Sequence, residues 1–210
     1  MAKKEKTERK KFLDQIEVRK YELDFQTPIL GMSPLDKDIF CRYIMERALK
    51  NGVPQEDLDD ELDMIEDSKE TKMTGFYKDV DGVYLLSHQI RGFFKNSGNV
   101  LKKVVDVQAL KSKIENFMFI FPRHIWLKEK IDGYVERPLQ VDTPKGKRTA
   151  LACSEMVKDI KIKIEIHLIP HDELTFDILE EVMDYGRYEG ISQWRGAGYG
   201  SFLWKRAESI

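Results

Sequence analysis

The chain has 210 residues, of which 41% are hydrophobic and 34% charged, and its formal net charge at pH 7 is −2. These values predict a charge-rich globular protein with its own core and disfavour a generic nucleic-acid binder, which is usually basic overall. No apolar run approaches the roughly 18 residues of a membrane helix, and no apolar stretch follows the charged start as in a secretion signal. We therefore expect a cytoplasmic protein. Cys41 and Cys153 lack any partner spacing, which predicts buried thiols rather than a disulfide or zinc site.

Charge is distributed unevenly along the chain. Residues 1–14 form a charged lead-in, and residues 15–210 are expected to form a single domain. This domain contains an acidic insertion over residues 55–70, in which nine carboxylates accompany one lysine between Glu56 and Glu70. A local basic surface can still attract a polyanion, because the local field matters more than the sum of charges.

Alternating apolar residues predict a first strand over residues 15–25, with these core positions: Ile16, Val18, Leu23 and Phe25. The alternation changes parity near Lys20, which predicts a β-bulge there. Residues 27–34 are rich in turn formers. They precede a helix predicted over residues 38–50, with Asp36 as its N-cap.

The middle of the chain is predicted to be rich in strands. Residues 77–86 form a hairpin around an Asp-Gly turn, and Ser87 then caps a helix. The continuous apolar run 117–121 predicts a strand buried on both faces. Two further strands, 134–141 and 149–157, flank a basic loop.

The last part of the chain alternates strand, helix and strand. Residues 161–169 alternate cleanly between charged and apolar, a helix follows over 175–184 with Gly186 placed to end it, and the last strand covers 200–206. The order predicts an α+β fold, a ferredoxin-like antiparallel sheet with helices on one face and central insertions.

Five glycines lie among aromatic residues and arginines between that helix and the last strand, in the segment 185–202. Glycine suits positions where the backbone takes positive φ or approaches another group closely. Exposed N–H groups, guanidinium groups and aromatic faces suit a polymer of phosphates and bases. The alternative is that the glycines only build a tight helix end and a strand entry, with Trp194 and Tyr199 in the core.

This segment resembles the glycine-rich loop of the RAMP superfamily, the CRISPR-associated RNA-binding proteins built on ferredoxin-like folds. That loop lies between the last helix and last strand, as Gly190 to Gly200 does here. A second likeness is His88-Gln89-Ile90-Arg91-Gly92-Phe93-Phe94-Lys95, which resembles a loop-to-helix segment that superfamily members place against RNA. The chain also resembles uncharacterised phage or prophage proteins ending in a G-x-x-x-W-R…G-x-G-x-F pattern and carrying a strand such as Arg137-Pro138-Leu139.

We therefore predict a non-catalytic protein that binds single-stranded RNA, or DNA, by its phosphate backbone, encoded by a phage or prophage, present in the bacterial host cytoplasm and able to self-associate. Phe93 is a further candidate for base stacking. The groove is expected between the glycine-rich loop, the Arg91 helix start and the loop at residues 145–148. The predicted binding residues are Arg91, Gly92, Lys95, Arg123, Arg137, Lys145, Lys147, Arg148, Arg187, Gly190, Gln193, Trp194, Arg195, Gly196, Gly198, Tyr199 and Gly200.

Two other functions stay open at this point. The acidic segment 55–70 suits a protein-interaction factor that imitates phosphates, such as a phage inhibitor of a host nucleoprotein. His124 or His88 suits the general acid–base of a metal-independent ribonuclease. The sequence contains no phosphate-binding P-loop, G-x-S-x-G or H-E-x-x-H motif, and we expect no cofactor and no metal.

Overall fold

The computed structural model describes residues 11–35, 45, 73–143 and 146–207. Of the predicted helix 38–50 only Met45 is described, and it is helical; the acidic insertion 55–70, Cys41 and Lys145 lie outside the described residues. The elements are β1 Glu17–Phe25, β2 Ile29–Leu30, β3 Ser33–Pro34, β4 Met73–Gly75, β5 Tyr77–Asp79, β6 Gly82–Leu86, α1 Ser87–Leu101, α2 Leu110–Phe117, β7 Met118–Phe121, β8 His124–Lys128, β9 Gly133–Thr143, β10 Gly146–Val157, β11 Lys161–Leu168, α3 Phe176–Asp184 and β12 Phe202–Arg206.

Four strands form the central sheet, in the order β12-β1-β11-β7, and every neighbouring pair is antiparallel. Helices α1 and α3 pack against each other, α1 against β7 and α3 against β12. Their apolar side chains join those of the sheet in one hydrophobic core. The predicted α+β class with antiparallel sheets is therefore confirmed.

The predicted bulge in the first strand is wrong. β1 pairs with β11 in one continuous register, from Glu17 opposite Leu168 to Asp24 opposite Lys161. Tyr21 is fully buried and keeps the period of two with the other buried positions of this strand, Leu23 and Phe25. The change of parity arose from Val18, predicted as a core position, which is 48% exposed because it lies on the opposite, open face.

The open face of the central sheet is covered by ion pairs that run across the strands. Three lysine–carboxylate pairs have N–O distances of 2.7–3.1 Å: Lys161–Asp24, Lys205–Glu22 and Lys20–Glu165. The two central strands, β1 and β11, place no Phe, Tyr or Trp on this face. RRM-type RNA recognition stacks bases on aromatic residues of the central strands; here the aromatic rings of the open face, Phe119 and His167 among them, lie toward its β7 edge.

A carboxylate on α3 joins this helix to two strands of the central sheet. Glu180 accepts hydrogen bonds from the Tyr21 hydroxyl at 2.8 Å and from Arg206 Nε and Nη2 at 2.8 and 2.7 Å, and Arg19 Nη1 lies 3.3 Å away. The Arg206 guanidinium, more than the other partners, lowers the pKa of Glu180. Burial and the same carboxylate raise the pKa of the Tyr21 hydroxyl.

Two smaller sheets complete the described part of the fold. One has the order β2-β10-β4-β3, with the parallel pair β4–β10, and carries β9 on β10; the other has the order β5-β6-β8. The β9–β10 hairpin pairs from Gly133 opposite Met156 to Thr143 opposite Gly146. Both strands are longer than predicted, so the predicted basic loop is mostly strand.

Three local predictions also need correction. β7 buries only one face, since Met118 and Ile120 are buried whereas Phe119 is 39% exposed on the open side of the sheet. Ser87 is the first residue of α1 rather than its N-cap, and the preceding Leu86 N–H donates to Gln89 Oε1 at 2.9 Å. The last strand begins at Phe202.

Two findings concern the class of protein. Cys153 is buried, as predicted. Across the described ranges, no helix is long and apolar enough to cross a membrane.

Candidate nucleic-acid interface

Residues 188–200, here called the glycine loop, are fixed near both ends to β2 and to the connection that precedes it. Near the start of the loop, Ser192 Oγ accepts a hydrogen bond from the Leu30 N–H at 2.7 Å. At its end, the Gly200 N–H donates to the Pro28 carbonyl at 2.9 Å. The positions of the loop ends are therefore set by β2 and by the connection that leads to it from the central sheet.

Two glycines allow the loop ends to meet. A Cβ on Gly190 would collide with the carbonyl carbon of Gly200, and Gly200 has a φ of +72°. The Ile191 N–H donates to the Gly200 carbonyl at 2.9 Å. Both conditions that favour glycine, close approach and positive φ, are present at this crossing.

A cavity of about 670 Å³ lies between the glycine loop and α1. The helix contributes Gln89, Gly92 and Asn96, which lie on one face because they are three and four residues apart. A Cβ added to Gly92 would meet no atom within 4 Å, so this wall is open where the helix lacks a side chain. The two segments that carry the family resemblance are thus brought together. The loop contributes Tyr188, Glu189, Gly190, Gln193, Trp194, Arg195 and Gly196.

Arg195 is held in the cavity wall by two acceptors. Its Nη1 lies 2.8 Å from Glu189 Oε1. The Asn96 carboxamide, in the orientation that satisfies both groups, accepts from Nη1 and Nη2 at 3.0 and 3.2 Å. These contacts engage Nη1 and Nη2 and leave the Nε–H without a partner among the described residues, so the guanidinium keeps donor capacity for an anion.

Trp194 presents an aromatic surface next to this guanidinium. Its backbone is left-handed, with φ 55°, and the residue is 38% exposed. The ring stacks on Tyr199 with centroids 5.6 Å apart, and the Arg137 guanidinium lies 5.2 Å from its centroid. The alternative that Trp194 belongs to the core is therefore wrong. Backbone strain of this kind is common at ligand sites.

Gln193 adds polar groups beside Trp194. In the part of the chain that the structure describes, neither its backbone nor its side chain forms a hydrogen bond. Its amide groups are therefore available to a ligand. Phe93, in contrast, is only 2% exposed and packs on Phe94 and Phe202, so it cannot stack on a base as predicted.

Several predicted binding residues lie away from the cavity. Lys95 Nζ is paired with Glu115 of α2 at 2.6 Å, and this lysine, with a smaller contribution from Arg91, lowers the pKa of the carboxylate. Six strand residues, about 20 Å, separate Arg137 from the hairpin end, where Lys147 and Arg148 lie. The structure thus brings together two of the three segments of the predicted groove. Also outside the cavity lining are the exposed residues Arg123 and Arg187.

Three residues of the cavity wall were not predicted as site residues: Gln89, Asn96 and Glu189. The polar pair Gln89 and Asn96 at i and i+7, with glycine between them, is a signal that would have indicated a polar helix face around an open position.

The two histidines considered for catalysis are separate from this cavity. His124 is exposed and stacks on Tyr84, with centroids 4.7 Å apart, and His88 is exposed in the first turn of α1. Among the described residues, neither histidine forms an ion pair with a carboxylate, and no group of three metal-ligating side chains occurs.

Comparison with known proteins gives a fold likeness only. No protein-family model matches the chain, and no curated protein matches it in sequence. A chain of a cryo-EM structure of the type III-B Cmr-β complex bound to cognate target RNA is similar, with a TM-score of 0.49 and 10% identity over 93% of this chain and 60% of that one. A chain of a type IV-B CRISPR complex gives a TM-score of 0.46 and 9% identity over 92% of both chains. The protein thus spans 60% of the length of the first of these chains.

Proposed function

We propose that this protein is a non-catalytic, RAMP-like protein that binds single-stranded RNA with the cavity between its glycine loop and α1. The central sheet is, in this proposal, a ferredoxin-like core. Its order β12-β1-β11-β7 supports this, because α1 and α2 connect β1 to β7 and α3 connects β11 to β12, as in a split βαβ arrangement. The predicted phage or prophage origin and the predicted self-association stay predictions.

The observation that carries the proposal is the arrangement around Arg195. A guanidinium with free donor capacity, the unbonded amide groups of Gln193 and the exposed Trp194 residue border one open cavity. Phosphates accept hydrogen bonds from the first two groups, and a base stacks on the third. This combination of phosphate-binding and base-stacking groups matches the repeating phosphates and bases of a nucleic-acid strand.

The expected mechanism is local contact rather than long-range attraction. The described side chains that border the cavity include one cation, Arg195, and one carboxylate, Glu189. A phosphate entering the cavity takes up the free donors of Arg195 and the Gln193 amide, while the neighbouring base stacks on Trp194 in place of the Arg137 guanidinium that lies over the ring. Since these contacts do not read base edges, we expect little sequence specificity.

The test is binding of the purified chain to fluorescent single-stranded RNA and DNA across a salt series, with a gel to detect cleavage. We expect binding that weakens as salt rises, because counterions are released from the phosphates, and intact RNA on the gel. Arg195→Ala should weaken binding, whereas Arg187→Ala, an exposed arginine outside the cavity, serves as the matched control. RNA is expected to bind more tightly than DNA, on the resemblance of the loop to the RAMP superfamily.

Three results would contradict the proposal. Absence of binding at low salt removes nucleic-acid binding altogether. Equal loss of affinity in the two arginine variants removes the cavity as the site, since only Arg195 borders it. Cleaved RNA removes the non-catalytic assignment.

A further inference from the structure

Three stacked aromatic rings lie on the outer face of the β5-β6-β8 sheet. Tyr84 on β6 is in the middle, with the Tyr77 centroid at 5.8 Å and the His124 centroid at 4.7 Å. The interplanar angles are 24° and 26°, so the rings form one column across three strands. Trp126 meets Tyr84 edge to face at 5.0 Å.

The column has open ring faces only at its two ends. Tyr77 and His124 lie on strands at opposite sides of β6, so they cover both faces of Tyr84. Tyr77 is 38% exposed, and His124 is exposed as well. A cage for a methylated ammonium needs several ring faces around one space, which this arrangement lacks. A flat aromatic ligand, stacked on the open ring face at one end of the column, fits this arrangement.

The two ends of the column differ in charge. His124 pairs with Leu86, and the carbonyl of the adjacent Arg123 accepts from the Ser87 N–H at 2.9 Å, so this end lies at the start of α1. Arg123 and His88 are exposed there. In the described parts of the chain, the Arg123 side chain has no ion pair. The opposite end lies near the β5–β6 turn with its carboxylates, Asp79 and Asp81.

We propose that the His124 end of this column is a second base-stacking site for the single strand that binds the glycine-loop cavity, with Arg123 and His88 contacting its phosphates. This inference rests on the proposed function. Helix α1 links the two sites: from Ser87 at the column to Asn96 at the cavity are nine residues, about 14 Å along the helix. Because the two sites are this close, one continuous strand can reach both, and the occupant of the His124 end is a base of the strand that binds the cavity.

The experiment compares the unaltered chain with His124→Ala, using uridine oligonucleotides of about 2 and about 16 nucleotides. The long one covers a typical single-strand site, and the short one, with roughly one backbone step, cannot reach both sites. The long oligonucleotide should bind His124→Ala about 5-fold to 100-fold more weakly, as expected for the loss of one base–aromatic stack. The short one, which fits the cavity alone, should bind both proteins equally. Tyr77→Ala, which removes the ring at the acidic end, is the matched control and should leave both affinities unchanged.

A second probe separates stacking from a general loss of charge or fold. A long oligonucleotide with abasic positions outside its first two nucleotides retains its phosphates, so it should bind the unaltered chain and His124→Ala equally. Equal affinity of both proteins for the normal long oligonucleotide overturns the second site and leaves the cavity in place. Equal weakening by Tyr77→Ala also overturns it. If the unaltered chain binds no oligonucleotide of either length, both proposals fall.

Discussion

Arg195 Nη1 lies 2.8 Å from Glu189 Oε1, within the same glycine loop. The carboxylate orients the guanidinium toward the cavity, and it also competes with any anion that enters. A polyanion must therefore bind with Glu189 still present or displace it from the arginine. Because the two residues carry opposite charges, removing the charge of Glu189 and removing that of Arg195 should change the affinity for a polyanion in opposite directions.

Removing the negative charge of Glu189 should strengthen binding. For Glu189→Gln we expect RNA affinity to rise about 2-fold to 5-fold, the size of a partly exposed ion pair, because the glutamine can still accept from Arg195. Fluorescence anisotropy at two salt concentrations measures this, and the gain should shrink at the higher one. Weaker binding in this variant would mean that the ligand is not an anion.

Replacing Arg195 should have the reverse effect. Arg195→Gln removes a charged donor, and we expect a loss of about 1.5–3 kcal/mol in binding free energy, the range for hydrogen bonds to charged groups. The slope of affinity against salt should also become smaller by about one phosphate contact. An unchanged slope would show that Arg195 does not contact the backbone.

A methyl group at Gly92 should separate folding from binding. Gly92→Ala should stabilise α1 by up to about 1 kcal/mol, since alanine is the better helix former and the added Cβ meets no atom. The same methyl enters the cavity and should weaken RNA binding. Urea unfolding and anisotropy on one preparation measure both effects. Gly98→Ala is the control: its Cβ would lie 2.7 Å from Ile114 Cδ1, which must shift within the core, so its gain in stability should be smaller, and RNA affinity should stay unchanged because residue 98 does not border the cavity. Undiminished affinity in Gly92→Ala would argue against the cavity.

Trp194 should contribute to binding but little to stability. Its left-handed backbone costs about 1–3 kcal/mol in a non-glycine residue, so in Trp194→Gly the relief of strain offsets the lost ring contact with Tyr199. We expect a melting temperature close to that of the unaltered chain and a loss of about 1–3 kcal/mol in RNA binding. An oligonucleotide of abasic units should bind both proteins alike. A large drop in melting temperature would instead assign the ring a structural role.

Acid should weaken the fold partly through Glu180. Because its folded-state pKa is lowered, mainly by Arg206, the carboxylate contributes stability above its unfolded pKa of about 4.3. That contribution is lost as pH falls through the lower, folded pKa. Glu180→Gln should therefore lose less stability between about pH 7 and pH 3 than the unaltered chain does, as measured by the urea midpoint. Glu181→Gln, an exposed neighbour on the same helix, makes the same charge change and should behave like the unaltered chain.

The sequence predicts the parts of this fold in which a buried face alternates with a charged one. β11 is the clearest example, with four buried isoleucine and leucine residues on one face. The prediction failed where residue type and environment diverge: Tyr21 is a buried tyrosine, Val18 an exposed valine. The burial of Tyr21 and the exposure of Val18 are not determined by the neighbouring sequence, because each depends on which face of the sheet the helices cover.

The candidate site was predicted in part for a similar reason. The glycines, Trp194 and Arg195 stand out in the sequence because their residue types are unusual together. Asn96 does not stand out, and its role follows only from the packing of α1 against the glycine loop, far away in sequence. The lysines and arginines near residues 145–148 were included on charge alone, whereas pairing in a long hairpin carries Lys147 and Arg148 away from the cavity.

The meeting of Gly190 and Gly200 makes the outer part of the glycine loop a module with fixed end points. Since both ends are fixed to the core, residues 193–198 can be exchanged or lengthened without moving any strand. Doubling the length of such a closed loop costs only about 0.6 kcal/mol in chain entropy. Ligand preference and fold stability can therefore change independently during evolution, and a library of loop sequences grafted between these two glycines would sample new specificities on an unaltered scaffold.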